Sequence, residues 1–225
     1  KPSITLFLGV LVVLGWHQAA LAQRKEAAYS EVFRMEQAAL SLLRSLPHRS
    51  TTTHEVVPEV GKDPTYKSIL TYETIPPDRS RSVQENVTPA SFKRMETIFV
   101  AGRFYQKFDG RPWFEREPPP PPVPIETQGT TRVSKPRFEN NAWLLETLTE
   151  KGRLVSVYET KSKSTREVDG KEITQITTSR YWFRDDGILF KKTSQLETVG
   201  DPKILRNTAV YDYDDIKIEA PIVNQ

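Results

Sequence analysis

The chain has 225 residues and no Cys, with 32 Lys and Arg set against 29 Asp and Glu and a formal net charge of +3. Without Cys there are no disulfides and no thiolate zinc sites. The two signs of charge are interleaved, so no basic stripe of the kind that tracks a nucleic-acid backbone stands out. A length of this order fits one domain with a real core.

The first element is a candidate export signal. Lys1 is followed by an almost unbroken apolar run from Ile4 to Trp16, and then by His17-Gln18-Ala19-Ala20-Leu21-Ala22. A charged start, a short apolar stretch and an A-x-A ending are the three parts of a cleavable secretory signal. The run is shorter than the about 20 residues a membrane-spanning helix needs. Residues 1–22 are therefore expected to be removed, leaving residues 23–225 as a single β-rich domain that begins at Gln23. No Cys follows Ala22, which rules out lipoprotein attachment at that junction. The expectation is a periplasmic or secreted protein.

Arg24 to Leu46 carries the one strong helical pattern. Val32, Met35, Ala39, Leu42, Leu43 and Leu46 recur at helical spacing, and Pro47 ends the run. Such a stripe suits a helix that covers a sheet.

Beyond Pro47 the chain reads as short strands separated by turns. The first group is His54–Val57, Lys67–Ile75, Ser80–Val87, Phe92–Val100, Arg103–Phe108 and Trp113–Glu117. The second is Ala142–Thr149, Leu154–Lys161, Glu172–Phe183, Ile188–Glu197, Leu205–Tyr213 and Ile216–Ala220. Ala101-Gly102, Asp109-Gly110, Lys151-Gly152, Asp169-Gly170 and Asp186-Gly187 supply turn residues that tolerate positive φ. The fold expected is α+β: a strongly curved antiparallel sheet of about 11–12 strands, an open half-barrel, with an N-terminal covering helix. The run Pro118–Pro124 is stiff and extended and reads as a rigid connector between the two strand groups.

The search for chemistry finds no catalytic constellation. Of the three His residues, His17 lies in the signal, and His48 and His54 have no H-E-x-x-H partner. No G-x-S-x-G elbow and no phosphate-binding Gly loop is present. Asp212, Asp214 and Asp215 lack the Gly and terminal Glu of a calcium loop and read as a solvated face or turn. Asn86-Val87-Thr88 matches a glycosylation sequon, which matters only in a eukaryotic secretory pathway. Neither a metal nor a cofactor is expected, and the chain is not expected to be an enzyme. The aromatic residues of the strands support two readings, ordinary core packing or the wall of an apolar ligand chamber, and both use the same side chains.

Two segments resemble a known family. One runs Arg94-Met95-Glu96-Thr97-Ile98-Phe99-Val100-Ala101-Gly102-Arg103-Phe104-Tyr105-Gln106-Lys107 and on to Gly110-Arg111-Pro112-Trp113; the other is Tyr181-Trp182-Phe183-Arg184-Asp185-Asp186-Gly187-Ile188-Leu189-Phe190-Lys191. With the signal, the leading helix and the closing Val210-Tyr211-Asp212-Tyr213 and Ile216–Pro221, they resemble the LolA/LppX-like family of periplasmic lipoprotein and lipid carriers. The Pro-rich insert and the missing lipobox Cys depart from that pattern. The resemblance implies a half-open barrel whose hollow holds acyl chains or a lipid-modified peptide, with no cofactor and only peripheral membrane contact. The candidates for that hollow are Ile98, Val100, Tyr105, Trp113, Val155, Val157, Tyr181, Phe183, Leu189 and Tyr211. Because side chains alternate along a strand, a register error moves a strand's candidates to the other face. The alternative is an envelope sensor or protein-interaction module on the same scaffold, its cavity filled by side chains and its partner a protein.

Overall fold

The computed structural model describes residues 24–88, 92–117, 133–150, 152–213, 216–221 and 223. The expected signal at 1–22 and the Pro-rich run at 118–124 lie outside the described residues. Twelve strands form one sheet: β1 (Lys25–Ala27), β2 (His48–Val57), β3 (Tyr66–Ile75), β4 (Arg79–Asn86), β5 (Arg94–Val100), β6 (Arg103–Phe108), β7 (Phe114–Arg116), β8 (Arg137–Glu150), β9 (Arg153–Val168), β10 (Lys171–Arg184), β11 (Leu189–Thr198) and β12 (Ile204–Asp212). The single described helix, α1, spans Tyr29–Ser45.

The strand order is β1-β8-β9-β10-β11-β12-β2-β3-β4-β5-β6-β7, with every neighbouring pair antiparallel. β1 and β7 are the two free edges, so the sheet is open, as the sequence leads one to expect. Two hairpins turn where Ala101 and Asp169 take φ of 51° and 50° and the following Gly102 and Gly170 take 78°. Two successive positive φ values match the right-handed twist of the flanking strands.

Two expectations are corrected. The helical run was expected to begin at Arg24, but Lys25–Ala27 is extended and pairs with Ala142–Leu144 of β8. Edge pairing overrides helix propensity there, and Arg24 helps by reaching Glu159 at 2.8 Å and lying over the Trp143 ring. Ile216–Ala220, expected as a strand, makes no ladder. It is a tail held by side chains, with Ile218 buried against Ile98 and Tyr105. At the other end of the helix, Leu46 is extended (φ −111°, ψ 144°), as a residue before proline must be, and the chain passes straight into β2.

Two apolar clusters form the core. In the first, Val32 and Ala39 of α1 pack on Ala142, Tyr181, Phe183 and Leu189. In the second, Ile98, Tyr105 and tail residue Ile218 pack with Ile75, Val100 and Trp113 at the margin.

Candidate functional site

Residues directly paired across an antiparallel sheet project from the same face. This allows one face to be traced from strand to strand. Tyr181 pairs with Tyr158 and Lys192, and Lys192 pairs with Ala209. Tyr211, two residues on, pairs with Ser50, and Ser50 pairs with Tyr72. Tyr72 pairs with Ser82, Ser82 with Thr97 and Thr97 with Gln106. Since α1 packs on Tyr181, Phe183 and Leu189, this whole face is the helix face. Its alternates, among them Glu96, Ile98, Val100, Tyr105 and Lys107, belong to the outer face.

The ten candidates therefore do not share one chamber. Tyr181, Phe183, Leu189 and Tyr211 gather on the helix face under or beside α1. Ile98, Val100, Tyr105 and Trp113 gather on the outer face, beneath the C-terminal tail. Val155 and Val157 are both buried, but they pair with Arg184 and Trp182 and so project oppositely to Tyr158. Lys107 lies 4.5 Å above the Trp113 ring on the outer side. Beside it Arg81 donates to the buried Glu96, with the Nε contact at 2.9 Å, and Lys107 lies 3.2 Å from the same carboxylate. Burial pushes that carboxyl up, but the hydrogen bonds from Arg81 and Lys107 outweigh it and hold Glu96 below the usual range.

The helix face has a covered half and an open half. Under α1, the rings of Tyr181 and Phe183 stack at 5.9 Å, and Tyr158 meets Phe183 edge-on at 6.1 Å. Lys192 donates to Glu36 of the helix at 2.5 Å, the one ion pair joining α1 to the sheet among the described residues. Burial lowers the affinity of Lys192 for its proton, yet the bond to Glu36 more than offsets this and raises its pKa. Burial likewise raises the phenols of Tyr181 and Tyr211, and lifts Tyr213 to about 12. At neutral pH all three are uncharged.

At the strand ends a cavity of about 240 Å³ opens between the two faces, lined by Val155 and Arg184 from the outer face and by Tyr211 from the helix face, with Arg153, Phe190 and Tyr213 beside them. Tyr213 donates its hydroxyl to the Leu189 carbonyl at 3.0 Å. Arg184 Nε is buried without a hydrogen-bond partner among the described residues, while its other end meets Asp186. Two of the sequence candidates, Val155 and Tyr211, line this cavity. His48 and His54 project from β2 without forming a metal cluster; the His54 ring pairs with Asn207 at 2.5 Å, and the His48 Nδ1 lies 3.0 Å from the Leu46 carbonyl.

The open half was missed in the sequence. Pairing places Met95, Phe99, Phe104, Phe108 and Phe114 on the helix face of β5, β6 and β7. Phe99 and Phe104 approach to 4.8 Å, and Phe108 stacks with Phe114 at 6.2 Å. Phe114 is 43% exposed, and Tyr72, farther along the same face on β3, is 39% exposed. Neither α1, which packs on β8, β9 and β11, nor the tail, which lies on the outer face, covers this row. Alternation alone could not find it: Met95/Thr97/Phe99 and Glu96/Ile98/Val100 are both plausible inner sets. The Phe pair flanking the Ala101-Gly102 turn was the available signal.

No helix among the described residues is long and apolar enough to cross a membrane. No family model and no curated protein matches the sequence. Solved structures with a similar course of chain include one described as an outer membrane lipoprotein-sorting protein domain from Vibrio parahaemolyticus, at 10% identity and a TM-score of 0.28 over 82% of this chain and 94% of that one. A DUF1329 family protein from Desulfovibrio piger aligns at 12% identity and a TM-score of 0.27, over 83% of this chain and 91% of that one. A LolA superfamily protein from Nitrosomonas europaea aligns at 9% identity and a TM-score of 0.27, over 87% and 96%.

Proposed function

We propose that this chain is a non-enzymatic, exported binder or carrier of a lipid, a lipoprotein acyl chain or another hydrophobic ligand in a bacterial envelope, working in the periplasm or outside the cell after loss of its signal. The observation that carries this reading is the aromatic row of β5, β6 and β7, half-buried at Phe99, Phe104 and Phe108 and exposed at Phe114, which neither α1 nor the described part of the tail covers and which lies on the same sheet face as the helix-covered cluster. Exposed apolar surface costs roughly 25 cal/mol per Å² of contact with water, and a contiguous patch of it marks an interaction site. An acyl chain laid along Phe99, Phe104 and Phe108 buries that surface without any specific polar partner. Toward β12 and β2 the face turns polar, with Asn207, His54 and Ser50, which suits the head of an amphiphile.

The protein-interaction module remains the second reading, and one observation favours it. The half-open cavity beside Tyr211 and Tyr213, at about 240 Å³, lies below the roughly 300–1,000 Å³ of ordinary ligand pockets. Native mass spectrometry of the chain, exported from a bacterial host and purified without detergent, separates the two. A stoichiometric lipid on solvent extraction supports the carrier. A clean apo mass, with no uptake of added fatty acid or phospholipid, overturns it in favour of a protein partner.

A further inference from the structure

The outer face carries a second feature, on β10, β11 and β12. Across β10, β11 and β12 runs a groove of about 350 Å³ lined by Thr178, Arg180, Thr193, Gln195, Arg206 and Thr208. Register explains why these six side chains meet. Arg180 pairs with Thr193 and Thr193 with Thr208; Thr178 pairs with Gln195 and Gln195 with Arg206. The two guanidiniums therefore stand at opposite corners of a two-row patch, with three hydroxyls and an amide between them.

The donors in this patch are largely unspent. Arg206 is part-buried, and its side chain has no ion pair or hydrogen bond among the described residues. The hydroxyls of Thr178, Thr193 and Thr208 have no recorded partner there either. Arg180 donates its Nε to Glu159 at 2.7 Å, but Glu159 also receives Arg24 at 2.8 Å, so two guanidiniums share one carboxylate. Lys161 pairs with Thr178 from β9 and adds a positive rim. The opposing charges are few. Glu55, cross-strand from Arg206, is held by Lys67 at 2.9 Å. Glu197 accepts from Gln195 at 2.6 Å. Among the groups just named, five cations meet three carboxylates, and the two that line the groove are Arg180 and Arg206.

We propose that this groove binds a phosphate group, with Arg206 and Arg180 as the charged clamps and the three threonine hydroxyls as neutral donors. Planar guanidiniums match phosphate oxygens with paired N–H donors, and hydroxyls complete the shell without adding charge. A carboxylate ligand would use fewer of these donors, and an apolar one would strand them. The site lies on the face opposite the acyl row, so one lipid molecule cannot occupy both, and the two sites stand or fall separately.

Calorimetric titration of the purified full chain with inorganic phosphate at low ionic strength, beside sedimentation with phosphatidylcholine vesicles lacking or containing phosphatidic acid, tests this. Saturable phosphate uptake that weakens about tenfold or more in R206Q and R180Q, but not in the exposed control K203Q, supports a site for a soluble phosphate compound. Vesicle binding that needs phosphatidic acid and Arg206, without uptake of free phosphate, supports a headgroup site instead. Should the Arg variants fail to fold, the near-isosteric pair T193V/T208V must weaken the same binding. Neither phosphate nor vesicle binding, or binding undiminished in R206Q, overturns the proposal.

Discussion

Replacing Phe114 by Ala separates the ligand-binding face from the fold. Phe114 sits on β7, a three-residue edge strand, with its ring stacked on Phe108 and 43% of its surface exposed. A phenylalanine carries about 200 Å² of surface, so about 85 Å² of this ring faces water in the free protein. Covering it with an acyl chain gains about 2 kcal/mol at roughly 25 cal/mol per Å². Removing the ring should therefore weaken the Kd for a fatty acid by roughly thirtyfold. Stability should fall by only about 1 kcal/mol, because so little of the fold leans on a terminal strand. The comparison variant is V100A, two residues along β5 from Ile98 and on the outer face under the tail. It should cost a similar amount of stability and leave affinity unchanged. Displacement of a fluorescent fatty acid from delipidated protein measures the first quantity, and urea denaturation the second. Unchanged affinity in F114A, or an equal loss in V100A, would refute the assignment of the ligand to the helix face.

Three further outcomes are expected. Breaking the tie between α1 and the sheet by E36L or K192M should cost about 1–3 kcal/mol in urea denaturation, because each strands a part-buried charge, and the double variant should recover much of the loss; equal loss in the double variant would contradict this. Glu96 has a folded pKa below its unfolded value near 4.5, so its contacts stabilise the fold above that pH and are lost as pH falls through the folded value. E96Q should therefore have a flatter acid limb in the pH dependence of the urea midpoint, and parallel limbs would exclude the role. Tyr213 is the mirror case: raised to about 12, its contribution is full below pH about 10 and is lost as pH rises toward 12. Y213F should remove part of the alkaline loss of stability, and phenolate absorbance should show one fewer late-titrating tyrosine.

Local pattern determined much of this protein. The 3.6-residue stripe of Val32, Ala39 and Leu43 placed the helix on a sheet, and these three are its buried apolar residues. The Ala101-Gly102 and Asp169-Gly170 pairs marked their hairpins because positive φ is a property of the residues that turn. A meander built from consecutive antiparallel neighbours needs little more than that. Tertiary structure decided what depended on pairing between distant segments. Lys25–Ala27 became a strand because β8 offered a free edge 115 or more residues away in sequence, a partner that local propensity cannot see. The closing Ile216-Lys217-Ile218 alternates like a strand but found no free ladder, and it packs by its side chains alone. Above all, register decided the faces. Where both sets of alternating residues are apolar, as in β5 and β6, a period of two cannot say which set faces the helix. Only the chain of pairings from Tyr181 through Ser50 to Gln106 sends Phe99, Phe104 and Phe108 to one face and Ile98 and Tyr105 to the other.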